Sequence, residues 1–227
     1  KSVVIMDEVQ TLPLAFYKPI VHTLDTLHRL FNVSILFTTA SQPVLTGRIE
    51  GTNPNASFDA LTSVHEIIPT EVRLHEKLRR VELVFKNGTN TYDEIAKELA
   101  TYQRVLCIVN TRKDAKDLYD RLPKDGICLH LSRMMCPAHI AATIRSIKEV
   151  LKDDGEKPVR VIATQLIEAG VDIDFPVVYR QEAGLDSILQ AAGRCNREGK
   201  QKISSTYIFS LGKEHALPTG LITQMNN

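Results

Sequence analysis

Short unbroken apolar runs, separated by amphipathic stretches, set the rhythm of the chain. Val3–Met6 and Val33–Phe37 are apolar without alternation, the pattern of parallel strands covered on both faces. Val105–Val109, Ile127–Leu131 and Val159–Ala163 repeat that pattern. Val64–Ile68, Val81–Phe85, Val177–Tyr179 and Tyr207–Ser210 are further strand candidates. Between them, apolar positions recur at helical spacing over 14–31, Thr91–Tyr102, Lys113–Leu122 and Pro137–Leu151. Pro19 predicts a kink, or two shorter pieces, in the first of these. Thr91 and Glu94 have the spacing of a capping box, and Pro137 suits a first helical turn. Strands alternating with helices over short connections predict an α/β fold, a parallel sheet flanked by helices. Residues 43–63 carry Pro, Gly and Asn and read as loop, and the charged Glu71–Arg80 reads as a linker. The expected division is 1–75, 76–215 and a C-terminal extension, 216–227.

Composition narrows the classes. The 227 residues are 43% hydrophobic and 24% charged, an ordinary balance for a globular protein with a sizeable core. A formal net charge of +1 gives no global basic field, so any nucleic-acid binding must come from local patches. No apolar run approaches the roughly 18 residues of a membrane span. Cys107, Cys128, Cys136 and Cys195 show no C-x-x-C pairing and suit reduced thiols in a cytosol. A strand at Val3 with nothing before it reads as the start of a fragment whose first sheet is cut. Its exposed strand edge is a template on which a second copy could dimerise.

The candidate chemistry centres on Leu185–Arg197, L-D-S-I-L-Q-A-A-G-R-C-N-R. Read as one helix with Asp186 as N-cap, it places Gln190, Arg194 and Arg197 at i, i+4 and i+7 on one outward stripe. Two guanidiniums and an amide on one ridge make a clamp for phosphate. Asp7-Glu8 follow a strand at its carboxyl end, where one carboxylate can hold magnesium and the other can orient a water. Thr39-Ala40-Ser41 offers two hydroxyls just past another strand. In Ala163–Phe175, Gly170 permits a positive φ, and Asp172 and Asp174 carry charges that need partners. Thr111-Arg112, Ser132-Arg133 and Thr164 each end a strand. Such a row along one sheet edge forms a track for a nucleic-acid backbone, one phosphate per strand end. Few aromatics lie nearby, which predicts little base stacking and tolerance of sequence.

Taken in order, D-E-V-Q, T-T-A-S-Q-P, I-V-N-T-R, A-T-Q-L-I-E-A-G-V-D-I-D-F and Q-A-A-G-R-C-N-R resemble the successive motifs of superfamily 2 helicases. The wording is most similar to the helicase part of the CRISPR-associated helicase–nuclease of type I interference systems. That resemblance implies RecA-like lobes, the first of them incomplete over 1–75 and the second over 76–215, acting on ATP with Mg2+. By position, Asp7 would hold magnesium and Glu8 would activate the attacking water. Thr39 and Ser41 would couple hydrolysis to movement. Gly170 and Asp172 would approach the nucleotide, while Gln190, Arg194 and Arg197 would reach its phosphates. Thr111, Arg112, Ser132 and Thr164 would lie along single-stranded DNA.

The implied setting is the cytoplasm of a prokaryote. The implied partners are a CRISPR type I targeting complex and the missing first-lobe and nuclease segments of a longer parent, with no membrane involved. No G-x-x-x-x-G-K-[ST] occurs in these residues, so the phosphate-cradling loop is absent from them and little ATPase activity is expected. Gln10 stands where other branches of the superfamily often carry His or Asp. Two other readings compete: a restriction or RNA-helicase motor of the same superfamily, and a non-catalytic module that binds nucleic acid or a partner.

Overall fold

The computed structural model describes residues 2–39, 47–49, 57–61, 64–152, 157–168 and 170–212. Ser41 and residues 213–227, the extension included, lie outside the described residues. Contacts divide the chain into two units, Lys1–Leu74 and His75–Asn227.

In the first unit, β1 (Val3–Met6) runs parallel to β2 (Ser34–Phe37). Between them come short 3-10 turns at Val9–Thr11 and Leu14–Phe16 and the helix α1 (Tyr17–Phe31). Pro19 occupies the first turn of α1. Amides there have no acceptor within the helix, so proline removes no bond and no kink is needed. The helix ends at Asn32, whose left-handed backbone (φ 52°) closes it. Tyr17, Val21 and Leu24 are its buried side chains. Val3 and Ile5 remain 62% and 66% exposed, so β1 is not covered on both faces among the described residues. A small antiparallel pair, β3 (Arg48–Ile49) with β4 (Phe58–Asp59), completes the described strands of this unit. Val64–Ile68 forms no strand: the described backbone there is irregular, and Ile67 and Ile68 are exposed. The expected linker carries a 3-10 turn, Thr70–Val72, and a one-turn helix, α2 (Leu74–Lys77).

The second unit follows the βα rhythm. Its elements are β5 (Val81–Asn90), α3 (Tyr92–Ala100), β6 (Arg104–Val109), α4 (Arg112–Arg121), β7 (Ile127–Leu131) and α5 (Pro137–Lys152). Then come β8 (Val159–Thr164), β9 (Val178–Gln181), α6 (Leu185–Ala192) and β10 (Ser204–Leu211). The strands form one parallel sheet in the order β5-β10-β9-β6-β8-β7. Alternation along β6 shows why its run is wholly apolar. Leu106 and Ile108 pack with Ile147 of α5, whereas Val105, Cys107 and Val109 pack with Leu99 of α3 and Leu118 of α4. Burying each such side chain contributes about 1.5–3 kcal/mol. Both halves of the capping box at α3 are made: the Thr91 hydroxyl accepts from Glu94 N–H, and the Glu94 carboxylate accepts from Thr91 N–H. The four cysteines are free. No described helix is long and apolar enough to cross a membrane.

Candidate functional site

Open α/β sheets collect ligands beyond the carboxyl ends of their strands. β6, β8 and β7 are neighbours, and their register pairs Val109 with Thr164 and Leu131 with Ala163. Their ends finish level. A cavity of about 300 Å³ opens there, lined by Asn110, Thr111, Arg112, Arg133, Thr164 and Gln165. Thr111 caps α4 by accepting from Asp114 N–H at 3.0 Å, so the helix starts at the cavity with its first amides lacking helical acceptors. Thr164 is only 7% exposed, and its hydroxyl has no partner among the described residues. A helix N-terminus, two guanidiniums and an unused hydroxyl suit a phosphate group. The expected row changes at one place. Ser132 is buried with its N–H on the Met135 sulfur, and Arg133 supplies the wall at β7 instead.

Beneath the cavity lies a charged network absent from the sequence-derived site. Arg180 on β9 is fully buried, and its Nε stands 2.8 Å from Glu168 Oε1. Arg180 Nη1 donates to Asn110 Oδ1 and to Gln181 O, each at 2.7 Å. Asn110 also donates to Glu182 O, and its N–H reaches Gln181 Oε1. The Ser187 hydroxyl, in the first turn of α6, donates to Glu168 Oε2 at 2.7 Å. Burial pushes the Glu168 carboxyl up, and the charge of Arg180 opposes that push. The ion pair thus locks the cavity wall, the loop after β8 and the start of α6 to one another. A charge directly following the apolar run Val177–Tyr179 was the signal available in the sequence.

The expected Gln190–Arg194–Arg197 stripe does not form. α6 has Gly184 rather than Asp186 as its N-cap, Asp186 lying in its first turn, and it ends at Ala192. Beyond it the chain turns. Phe175 N–H donates to Arg194 O, Asn196 N–H donates to Phe175 O, and Asn196 adopts φ 47°. Arg194 is therefore carried inward. It is buried and donates to Ile167 O at 3.2 Å and Glu168 O at 2.6 Å, holding the loop rather than facing outward. Gln190 stays half-buried on α6. Arg197 is exposed: its Nε meets Asp172 Oδ1 at 2.7 Å, and its N–H meets Asp174 Oδ1 at 2.6 Å. The charges on Asp172 and Asp174 find their partners in the arginine segment, with Lys200 3.9 Å from Asp174. Gly170 has φ 69°, and a side chain there would meet nothing within 4 Å. Its glycine is required by backbone conformation rather than by crowding.

In the first unit, Asp7 Oδ1 accepts from Glu8 N–H at 3.0 Å and from the Thr38 hydroxyl. Its second oxygen has no partner among the described residues. One free carboxylate oxygen beside a hydroxyl fits magnesium, which is commonly held by one or two carboxylates together with substrate phosphates. Glu8 sits in the left-handed region at φ 54°. Its Oε2 accepts from Gln10 Nε2 at 2.5 Å, while Gln10 Oε1 accepts from the Thr39 hydroxyl. One amide thus joins Glu8 to Thr39. From sequence, Gln10 stands out only as a departure from the motif, and Thr38 only as the first residue of T-T-A-S-Q-P.

Residues 101–200 match the family model described as CRISPR-associated nuclease/helicase Cas3, C-terminal. The CRISPR-associated nuclease/helicase Cas3 of Methanothermobacter thermautotrophicus is 26% identical over 196 residues, 85% of this chain and 23% of that protein. Among solved structures, T. fusca Cas3 with ATP superposes with a TM-score of 0.64 at 16% identity, covering 97% of this chain and 31% of that one. A chain of a CRISPR RNA-guided surveillance complex in a pre-nicking state gives 0.56 at 19% identity, covering 97% of this chain and 33% of that one. The chain therefore spans about a quarter of its curated relative's length. The family resemblance carried by the five motifs holds, and so does the RecA-like α/β fold.

Proposed function

We propose that this chain is motor machinery of a Cas3-type helicase, driving single-stranded DNA along the cavity at the ends of β6, β8 and β7 with ATP as fuel. The observation that carries this reading is the cavity at the start of α4, lined by Arg112, Arg133 and Thr164, whose buried hydroxyl has no partner among the described residues. Phosphates would bind to Thr111, Arg112, Arg133 and Thr164 whatever the base, because backbone contacts carry no sequence information.

For the nucleotide, Asp7 would hold magnesium, which supplies charge neutralisation on the transferring phosphate, and Glu8 would align the water. Gln10 fixes Glu8 and hands the Thr39 hydroxyl the coupling role expected for it. Arg197 is assigned as the arginine finger. Its ion pair with Asp172 is exposed on both sides, and such pairs are worth about 0–1 kcal/mol, so release toward a phosphate costs little. Arg194, spent on two carbonyls, supports the loop of Gly170 and Asp172. Gln190 reaches the nucleotide from α6. Within a prokaryotic cytoplasm the motor would serve a CRISPR type I surveillance complex.

The 227 residues carry no phosphate loop and are expected to hydrolyse ATP at background rate, with or without single-stranded DNA. Anisotropy of a labelled oligothymidine tests the DNA reading. Thr164→Val should weaken binding about three- to tenfold, the loss of one hydrogen bond worth about 0.5–1.5 kcal/mol. Unchanged affinity would place the strand elsewhere.

A further inference from the structure

Arg80, the residue before β5, is bonded to the arginine segment from both its backbone and its side chain. Its carbonyl accepts from Asn196 Nδ2 at 3.1 Å and from Ser204 N–H at 3.0 Å. Its guanidinium donates to Arg197 O at 2.6 Å and lies over the turn at Gly199, where an added Cβ would stand 3.5 Å from Arg80 Cδ.

Asn196 completes the arrangement. It is 2% exposed, holds φ 47°, and uses its amide three times: on Arg80 O, on Gln201 O at 2.6 Å and on Gln201 N–H at 3.0 Å. A non-glycine residue keeps a left-handed backbone only when its surroundings over-determine it, and a short polar side chain bonding locally is the usual means. The peptide carrying Arg197 is therefore gripped on its carbonyl by Arg80, on its N–H by Asp174, and from the preceding residue by Asn196. The Arg197 side chain is held only by its exposed ion pair with Asp172 and a long bond, 3.5 Å, from Nη1 to Gly193 O.

We propose that Arg80 is a positioning residue for Arg197: through Asn196 and the Arg197 carbonyl it fixes the root of the finger. It thereby ties that root to the start of β5. The inference rests on the reading of Arg197 as a phosphate-contacting residue. A guanidinium aimed from a fixed root reaches a developing charge without reorganising, and a misplacement of about 1 Å can cost about a hundredfold in rate.

The test is DNA-stimulated ATP hydrolysis by the complete gene product that contains these residues, comparing Arg80→Gln, Arg80→Lys and Arg197→Ala. Arg197→Ala should lower kcat by about a thousandfold or more, as loss of a finger does. Arg80→Gln should lower kcat about tenfold and leave KM for ATP within about twofold. Arg80→Lys, which keeps one charged donor, should recover most of the rate. If Arg197→Ala is inactive while Arg80→Gln turns over like the wild type, the positioning role is wrong and the finger reading stands. If Arg197→Ala turns over normally, the finger reading itself fails and the proposal falls with it. Equal losses in Arg80→Gln and Arg80→Lys, with a matching loss of thermal stability, would reduce Arg80 to a structural part and overturn the proposal.

Discussion

Replacing Glu168 by Gln isolates the buried ion pair beneath the cavity. The change keeps the side chain's shape and an acceptor for the Ser187 hydroxyl, but it leaves the Arg180 guanidinium charged and fully buried. Three neutral acceptors remain: Asn110 Oδ1 and Gln181 O, both at 2.7 Å, and Ser187 Oγ at 3.3 Å. Removing one partner of a buried pair typically costs about 3–5 kcal/mol, because the other charge stays desolvated. The lower end applies here, since those acceptors persist. A loss of about 3 kcal/mol is a large part of the roughly 5–15 kcal/mol that holds a domain. With a urea m-value of about 1–3 kcal/mol/M, the midpoint should fall by about 1–3 M.

Because the chain has two units, the transition is best read locally, by pulsed hydrogen exchange on peptides covering Arg104–Val109 and Val178–Gln181. The double replacement Glu168→Leu with Arg180→Met should recover much of the loss, since apolar pairs of similar volume often match a buried ion pair. A midpoint for Glu168→Gln within about 0.3 M of wild type, under about 1 kcal/mol, would refute the reasoning. So would a double variant less stable than Glu168→Gln.

Other outcomes follow from single groups. His130 lies half-buried on β7 against the Tyr119 ring, its Nε2 buried without a partner among the described residues, and burial draws its pKa below the ordinary value. The unfolded chain therefore binds the extra proton first. Stability should be full above about pH 6.5 and decline as pH falls toward the folded value, a slope that His130→Gln removes and that pH-dependent urea midpoints would register. Thr91→Ala breaks the side-chain half of the capping box and should cost about 1 kcal/mol, read in the same urea series.

The middle of the sheet was largely legible because β6, β8 and β9 are buried on both faces. A run such as Val105–Val109 admits few other readings once Thr91 and Pro137 mark where helices start. The ends were less clear. β5 and β10 extend through Lys86–Asn90 and Ser204–Thr206, polar stretches that join the sheet because Lys86 pairs with Glu98 and because two parallel ladders hold β10. Val64–Ile68 reads as a strand only while no partner is required of it.

In the site, the strand-end row was readable, since any right-ordered parallel sheet brings Thr111 and Thr164 together. The arginine stripe was misread because helical spacing was carried past Gly193. Burial of Arg194 depends on carbonyls 26 and 27 residues away, which no local pattern reveals. Arg80 and Asn196 are 116 residues apart and could not have been paired from sequence.

The most direct measurement is the salt dependence of single-stranded oligothymidine binding, wild type against Arg112→Ala with Arg133→Ala. If these guanidiniums hold backbone phosphates, the double variant should bind more weakly at low salt. Its slope of log affinity against log salt should also be shallower by roughly 1.4, about 0.7 for each phosphate no longer neutralised. An unchanged slope and affinity would mean that the cavity at the ends of β6, β8 and β7 is not the nucleic-acid track, and the motor reading would lose its central support.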